Sequence, residues 1–157
     1  MLRFDSTVTG DAQVVGALRT IVGKMADLRD LYETTLEPEF YTMMERRFAT
    51  EGGSERWPAL SRRYAAWKAR NFPGRRILER EGIMREGLTR RGGRFQVRRL
   101  DATTMELGTS TRYAQHHQFG TRRMPRRKVI DFGGDDARRW QAAAEAYFEK
   151  VAKGAGA

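Results

Sequence analysis

At 157 residues, 39% hydrophobic, 32% charged and with a net charge of +10, the chain has the makeup of one globular domain with a modest core and a wet, basic surface, not of a disordered tail. No apolar run approaches the ~20 residues that cross a bilayer, and the opening Met1-Leu2-Arg3-Phe4-Asp5 lacks the apolar stretch of a secretory signal. Cysteine is absent, which excludes disulfides, thiolate nucleophiles and cysteine-held metals and suits a reducing cytoplasm.

Residues 2–9 alternate around Leu2, Phe4, Ser6 and Val8 and predict a short first strand, closed by Gly10-Asp11. From Ala12 to about Leu36, Val14, Leu18, Ile21, Val22, Met25 and Leu28 recur at helical spacing opposite Arg19, Lys24, Asp27 and Asp30, so one long amphipathic helix is expected. Pro38 stands where a second helix can begin, so a bent helix or a helix pair ending at Gly52-Gly53 is expected. Phe40, Met44 and Phe48 then repeat every four residues up to Gly52-Gly53. Trp57-Pro58 opens a third helix with Leu60, Tyr64 and Trp67 on one face, stopped at Phe72-Pro73-Gly74. A short helical stretch is expected from Ile83 to Leu88.

Residues 94–108 read as a hairpin. Phe95, Val97 and Arg99 share one side, Gln96 and Arg98 the other, and Asp101-Ala102-Thr103 makes the turn. A compact polar and aromatic stretch ends at Gly120, a basic loop surrounds Pro125, and Val129-Ile130-Asp131-Phe132 reads as a final strand. Asp135 or Asp136 caps a last helix with Trp140, Ala144, Tyr147 and Val151 on one face and Gly154 past its end. The fold class is α+β: a small antiparallel sheet with a central hairpin, packed by long N-terminal helices and a C-terminal helix. Residues 1–157 form a single domain. Its stretches are a strand and acidic helices (1–55), a basic helical and strand region (56–99), a hairpin and partner loop (100–132), and a helix (133–157).

The charge is segregated. Residues 1–55 carry 6 basic and 10 acidic side chains, residues 56–99 carry 14 and 3, and residues 100–157 carry 10 and 7. The middle third therefore holds the excess, and its field suits a polyanion or an acidic protein face. Arginines interleave with aromatics in Arg62-Arg63-Tyr64-Ala65-Ala66-Trp67-Lys68, but Tyr64 and Trp67 share a face with Leu60, and core packing is their expected role. Arg62, Arg63, Arg70, Arg90, Arg91, Arg94 and Arg98 are the candidates for sequence-blind contact with a DNA backbone.

Catalytic patterns are missing. His116 and His117 are adjacent, point apart in any regular structure, and lack a Glu-x-x-His continuation. No serine sits in a Gly-x-Ser-x-Gly elbow, and the glycine pairs lack the ending of a phosphate loop. Glu79, Glu81 and Glu86 stand among arginines and read as ion pairs. No enzyme, no cofactor and no metal is expected.

One block is more specific: Gly108-Thr109-Ser110, then Tyr113-Ala114-Gln115-His116-His117-Gln118-Phe119-Gly120, then Met124-Pro125-Arg126-Arg127. Ahead of it stand Trp57-Pro58-Ala59-Leu60-Ser61 and Ile77-Leu78-Glu79-Arg80-Glu81-Gly82-Ile83-Met84-Arg85. In this order and spacing, over roughly residues 50–135, the chain resembles the phage virion morphogenesis family, the Mu-type G protein and its tail-completion relatives. It departs from that pattern at Glu81-Gly82-Ile83-Met84-Arg85 and at Lys128-Val129. The resemblance implies a structural protein at the head–tail junction, a neck or tail-completion component that lets head and tail join. It would be present in the virion and assembled in the host cytoplasm.

The resemblance, together with rotational symmetry, implies a homo-oligomeric ring, a hexamer first and a dodecamer second. Further partners are other neck, connector or tail proteins, with non-specific DNA contact in a channel and no membrane. Tyr113, His116, His117, Phe119, Arg122, Arg123, Arg126 and Arg127 are the candidate contacts to partners or neighbouring subunits, and packing of Tyr113 and Phe119 onto the sheet is the alternative. The competing function is a cytoplasmic nucleic-acid-binding accessory protein.

Overall fold

The computed structural model describes residues 11–53 and 55–155. The strand expected over residues 2–9 lies outside them. Helix α1 (Asp11–Ala26) stops at Asp27, earlier than the periodicity alone predicts. The Asp27 carboxylate accepts from the Arg29 backbone N–H at 3.1 Å and from its guanidinium, and the Leu28 N–H turns away to the Ala102 carbonyl at 2.8 Å. A short polar side chain thus competes with the helical ladder and breaks it.

The chain then runs helically from Arg29 to Ala49 as α2 (Arg29–Leu31), a wide π turn (Tyr32–Leu36) and α3 (Glu37–Ala49). Pro38 does not begin a separate helix. It sits in the first turn of α3, just after the π turn in which the Glu37 N–H reaches back to Tyr32 O. A ring without an N–H crowds the carbonyl four residues back, and a widened turn relieves that conflict without ending the helix.

The four-residue repeat holds. Phe40, Met44 and Phe48, with Met43, form the core together with Trp57, Met84, Leu88 and Val129. Phe48 and Trp57 meet edge to face at 5.5 Å. Trp57-Pro58 does not open a helix. Trp57 is buried and its indole N–H donates to Lys128 O at 2.8 Å, while α4 (Arg62–Asn71) starts later, capped by Ser61. Gly52 (φ +124°) makes the return between α3 and Trp57, and a Cβ there would fall 2.3 Å from Glu55 O.

Beyond α4, α5 (Ile83–Thr89) packs on α3, and β1 (Gln96–Leu100) pairs antiparallel with β2 (Met105–Thr109), Arg98 opposite Leu107. Asp101 closes this hairpin by accepting from the Thr103 and Thr104 N–H groups. Helix α6 (Ala114–Phe119) follows. Val129–Phe132 is not a strand: the Gln118 side chain accepts from the Val129 and Ile130 N–H groups and donates to Ile130 O at 2.7 Å, standing in for a neighbouring peptide. Helix α7 (Gly134–Ala155) runs back along the molecule, with Gly154 inside it. Its start meets Arg46 and Arg47 through Asp136, and Tyr147 donates to Asp30 at 2.7 Å. No described helix is long and apolar enough to cross a membrane.

A carboxylate joins the helices to the hairpin. Glu37 is only 1% exposed and accepts from Arg98, Arg91 and Tyr41 at 2.5–3.1 Å. Burial by itself would raise its pKa; the hydrogen bonds from Arg98, Arg91 and Tyr41, with the charge of Arg98, outweigh burial and hold it at about 2. Arg98 also reaches Glu33 at 2.8 Å.

Because the folded value lies below the ordinary 4.5, the stability from this contact is complete above that pH and is lost as pH falls toward 2. Glu37→Gln is expected to lower the unfolding free energy by about 2–3 kcal/mol at pH 7. Urea titrations should show the gap from wild type closing between pH 4.5 and 2.

Candidate functional site

An open groove of about 790 Å³ lies between three segments of the chain. One wall is the segment leading into α4, with Leu60 and Tyr64. A second is the turn from Leu78 to Ile83. The third combines Tyr113, His116 and His117 of the α6 region with the loop carrying Met124 and Pro125.

Each wall is pinned by a polar group, and the ion pair expected of Glu79 is among them. Arg127, expected at a partner contact, is 4% exposed and donates to Pro58 O at 2.8 Å and Ala59 O at 3.0 Å. It holds these carbonyls out of any helix, which is why α4 begins only at Arg62. Lys68, the one buried residue of α4, donates to Arg76 O, and burial pushes its pKa down. Arg85 bridges Glu79 at 3.0 Å and Glu45 at 2.6 Å, tying the second wall to α3. The third wall closes through the Arg127 N–H on His117 O at 2.8 Å and the Thr121–Met124 bridge. Gly120 (φ +74°) allows that closure, because a Cβ would press on the Arg126 and Met124 backbone at 3.0–3.2 Å.

The groove brings together Tyr113, His116, His117, Arg123 and Arg127 of the expected contact set. Tyr113 and His117 meet edge to face at 6.1 Å. Burial, with Arg127 and then His116 beside it, pushes the His117 pKa down and favours the neutral ring, whose Nδ1 is buried without a partner among the described residues. Arg122 and Arg126 are exposed outside the groove. Phe119 projects on the other side of α6, 77% exposed.

The seven arginines expected to meet DNA divide. Arg91 and Arg98 grip Glu37, and Arg90 and Arg94 pair with Glu86 at 2.5 and 3.5 Å. Arg62, Arg63 and Arg70 lie exposed on α4 with no carboxylate partner among the described residues.

The core role expected for Tyr64 and Trp67 is not what the structure shows. They stack on each other at 5.5 Å on the surface, 40% and 43% exposed. The Leu60–Tyr64 spacing marks an apolar face correctly, but no other described element covers it fully. Leu78, Ile83 and Met124 stand in the segments that carry the family resemblance but not among the expected contact residues, and nothing local in the sequence brings these three walls together.

Chemically, the arrangement offers an apolar trough for side chains and guanidinium groups on its rim for carboxylates or phosphates. Among the described residues no group of three histidines or carboxylates is placed to hold a metal ion.

The family model for the phage virion morphogenesis family matches residues 10–149. No curated protein and no solved structure matches the chain.

Arg127→Leu should cost about 2–3 kcal/mol of stability by stranding the Pro58 and Ala59 carbonyls, while Arg126→Ala should stay within about 0.5 kcal/mol. Chemical denaturation of the two variants beside wild type measures both.

Proposed function

Because the chain belongs to the phage virion morphogenesis family, we propose that it is a structural protein of the head–tail junction, a neck or tail-completion component that promotes joining of head and tail and turns over no substrate. The observation that carries this reading is the groove. It is preformed, mostly apolar and open, of a size that takes several side chains, and it is edged by exposed Arg123 and Tyr113. Surfaces rich in tyrosine, tryptophan and arginine favour protein partners. In this reading the protein assembles in the host cytoplasm as a homo-oligomeric ring, of six copies in the first instance and twelve in the second. It stays in the virion and meets other neck, connector or tail proteins through the groove and α4.

A second reading, a cytoplasmic nucleic-acid-binding accessory protein, is favoured by Arg62, Arg63 and Arg70 on α4. Against it, Trp67 already spends its ring on neighbours of its own chain, stacked with Tyr64 at 5.5 Å and in tilted contact with Phe72 at 5.6 Å.

Deleting the gene and imaging lysates should show heads and tails present but unjoined, and mass spectrometry should find the protein in purified virions. Fully tailed, infectious particles from the deletion would sink the junction role. Duplex DNA binding by the isolated protein should be weak at physiological salt. Tight binding that falls steeply with salt, by ~0.9 in log–log slope per phosphate contacted, would favour the second reading.

A further inference from the structure

Helix α1 is apolar over more of its surface than the described residues cover. It packs on α7, with Ala17, Ile21 and Lys24 partly covered. Next to that contact, Val14, Val15, Leu18, Val22 and Met25 stand 38% to 63% exposed. At 100° per residue these five fall within about 100° of one another, a continuous stripe along the helix and not scattered single residues.

The joint of α1 and the groove lie at opposite ends of the helical column Arg29–Ala49. Helix α1 joins the body at Leu28, beside the hairpin turn. The groove lies at the far end of the helical column Arg29–Ala49, where Arg85 ties Glu79 to Glu45 and Arg76 donates to Ala49 O. That column is about 30 Å long at 1.5 Å per residue.

We propose that α1 of one copy seats its exposed apolar stripe in the groove of the next copy. The occupant is a second copy of this chain for two reasons on the molecule itself. The anchor residues recur at the spacing by which an amphipathic helix enters a groove, and the groove offers Leu60, Tyr64, Ile83 and Met124 to meet them. Five half-exposed aliphatic chains also fall well short of the ~800 Å² that each partner of a stable complex buries, so pairing of α1 with α1 alone is too small. A concave seat increases the buried area. A contact between unlike surfaces is heterologous, the kind that closes into a ring. The inference rests on the ring-forming reading above and names the surfaces that would form it.

The chain is free of cysteine, so cross-linking reports the contact without ambiguity. Leu18→Cys and Tyr64→Cys chains are mixed and oxidised. The mixture is expected to give a heterodimeric cross-link that neither variant gives alone. In parallel, Leu18→Asp and Tyr64→Asp, both at exposed positions, should each weaken self-association on the order of 100-fold by sedimentation. Mixing these two should restore a dimer that grows no further, since each retains one intact surface.

A Leu18→Cys homodimer with Tyr64→Asp still fully assembled would replace the proposal with a two-fold α1 contact. A chain lacking residues 1–10 that gains an oligomer absent in the full chain would assign the stripe to this chain's own N-terminus. Full-length protein that stays monomeric at high concentration would overturn the contact even if the deletion leaves heads and tails unjoined. Normal particles from the deletion with the cross-link formed would overturn the junction role and leave the contact standing.

Discussion

A buried carboxylate between two arginines holds the two halves of this fold together. A two-stranded hairpin is at best marginal by itself in water, and the face of β1 turned to α3 is the polar one. It carries Gln96, which donates to Tyr41 Oη at 2.9 Å, and Arg98, which grips Glu37 and Glu33. The sheet is thus fixed to the helices through ionic geometry as well as oil. Two arginines around one buried carboxylate give that contact direction, and direction sets where the hairpin ends and α6 begins. Losing the carboxylate would leave Arg98 with Glu33 alone and Arg91 with no carboxylate partner among the described residues, and the hairpin without its directional tie to α3.

The same pairing explains the uneven charge along the chain. The acidic first third and the basic middle third are complementary within one molecule: Glu33 and Glu37 take Arg98 and Arg91, and Glu45 takes Arg85. The field that a tally of residues assigns to a polyanion is thus partly neutralised inside the fold. Among the cations left without a carboxylate partner in the described residues are Arg62, Arg63 and Arg70 on α4 and Arg122, Arg123 and Arg126 on the loop, the two segments that supply walls of the apolar groove. An apolar floor with a cationic margin discriminates between partners by the charge on their edges, while the floor supplies the affinity.

Periodicity was a good guide where one element decides the matter. Phe40, Met44 and Phe48 announced the core face of α3, the alternation of residues 94–108 announced the hairpin, and Trp140 to Val151 announced α7. It failed where the deciding partner is remote. Arg127 reads as one more cation in a basic loop, yet its partners are carbonyls 68 and 69 residues away. Gln118 reads as a polar residue, yet it replaces a strand for Val129 and Ile130. The apolar faces of α1 and α4 were legible as apolar. That none of the described residues covers them was not, because amphipathicity records a need for cover without saying which molecule provides it.

That last distinction bears on how copies would be arranged. If α1 reaches a neighbour, the angle at which it leaves the body sets the rotation from one subunit to the next. The angle is fixed by a compact polar knot. Asp27 turns the chain, Leu28 N–H holds the Ala102 carbonyl, and Asp30 takes both Lys24 at 3.0 Å and Tyr147 at 2.7 Å. The knot thereby links α1, the hairpin turn and α7, so the arm cannot swing without breaking contacts to all three. A loose joint would allow many rotations and open chains as readily as closed ones. A joint locked by directional hydrogen bonds restricts the rotation to a narrow range, and a narrow range is what a heterologous contact needs to close on a fixed number of copies.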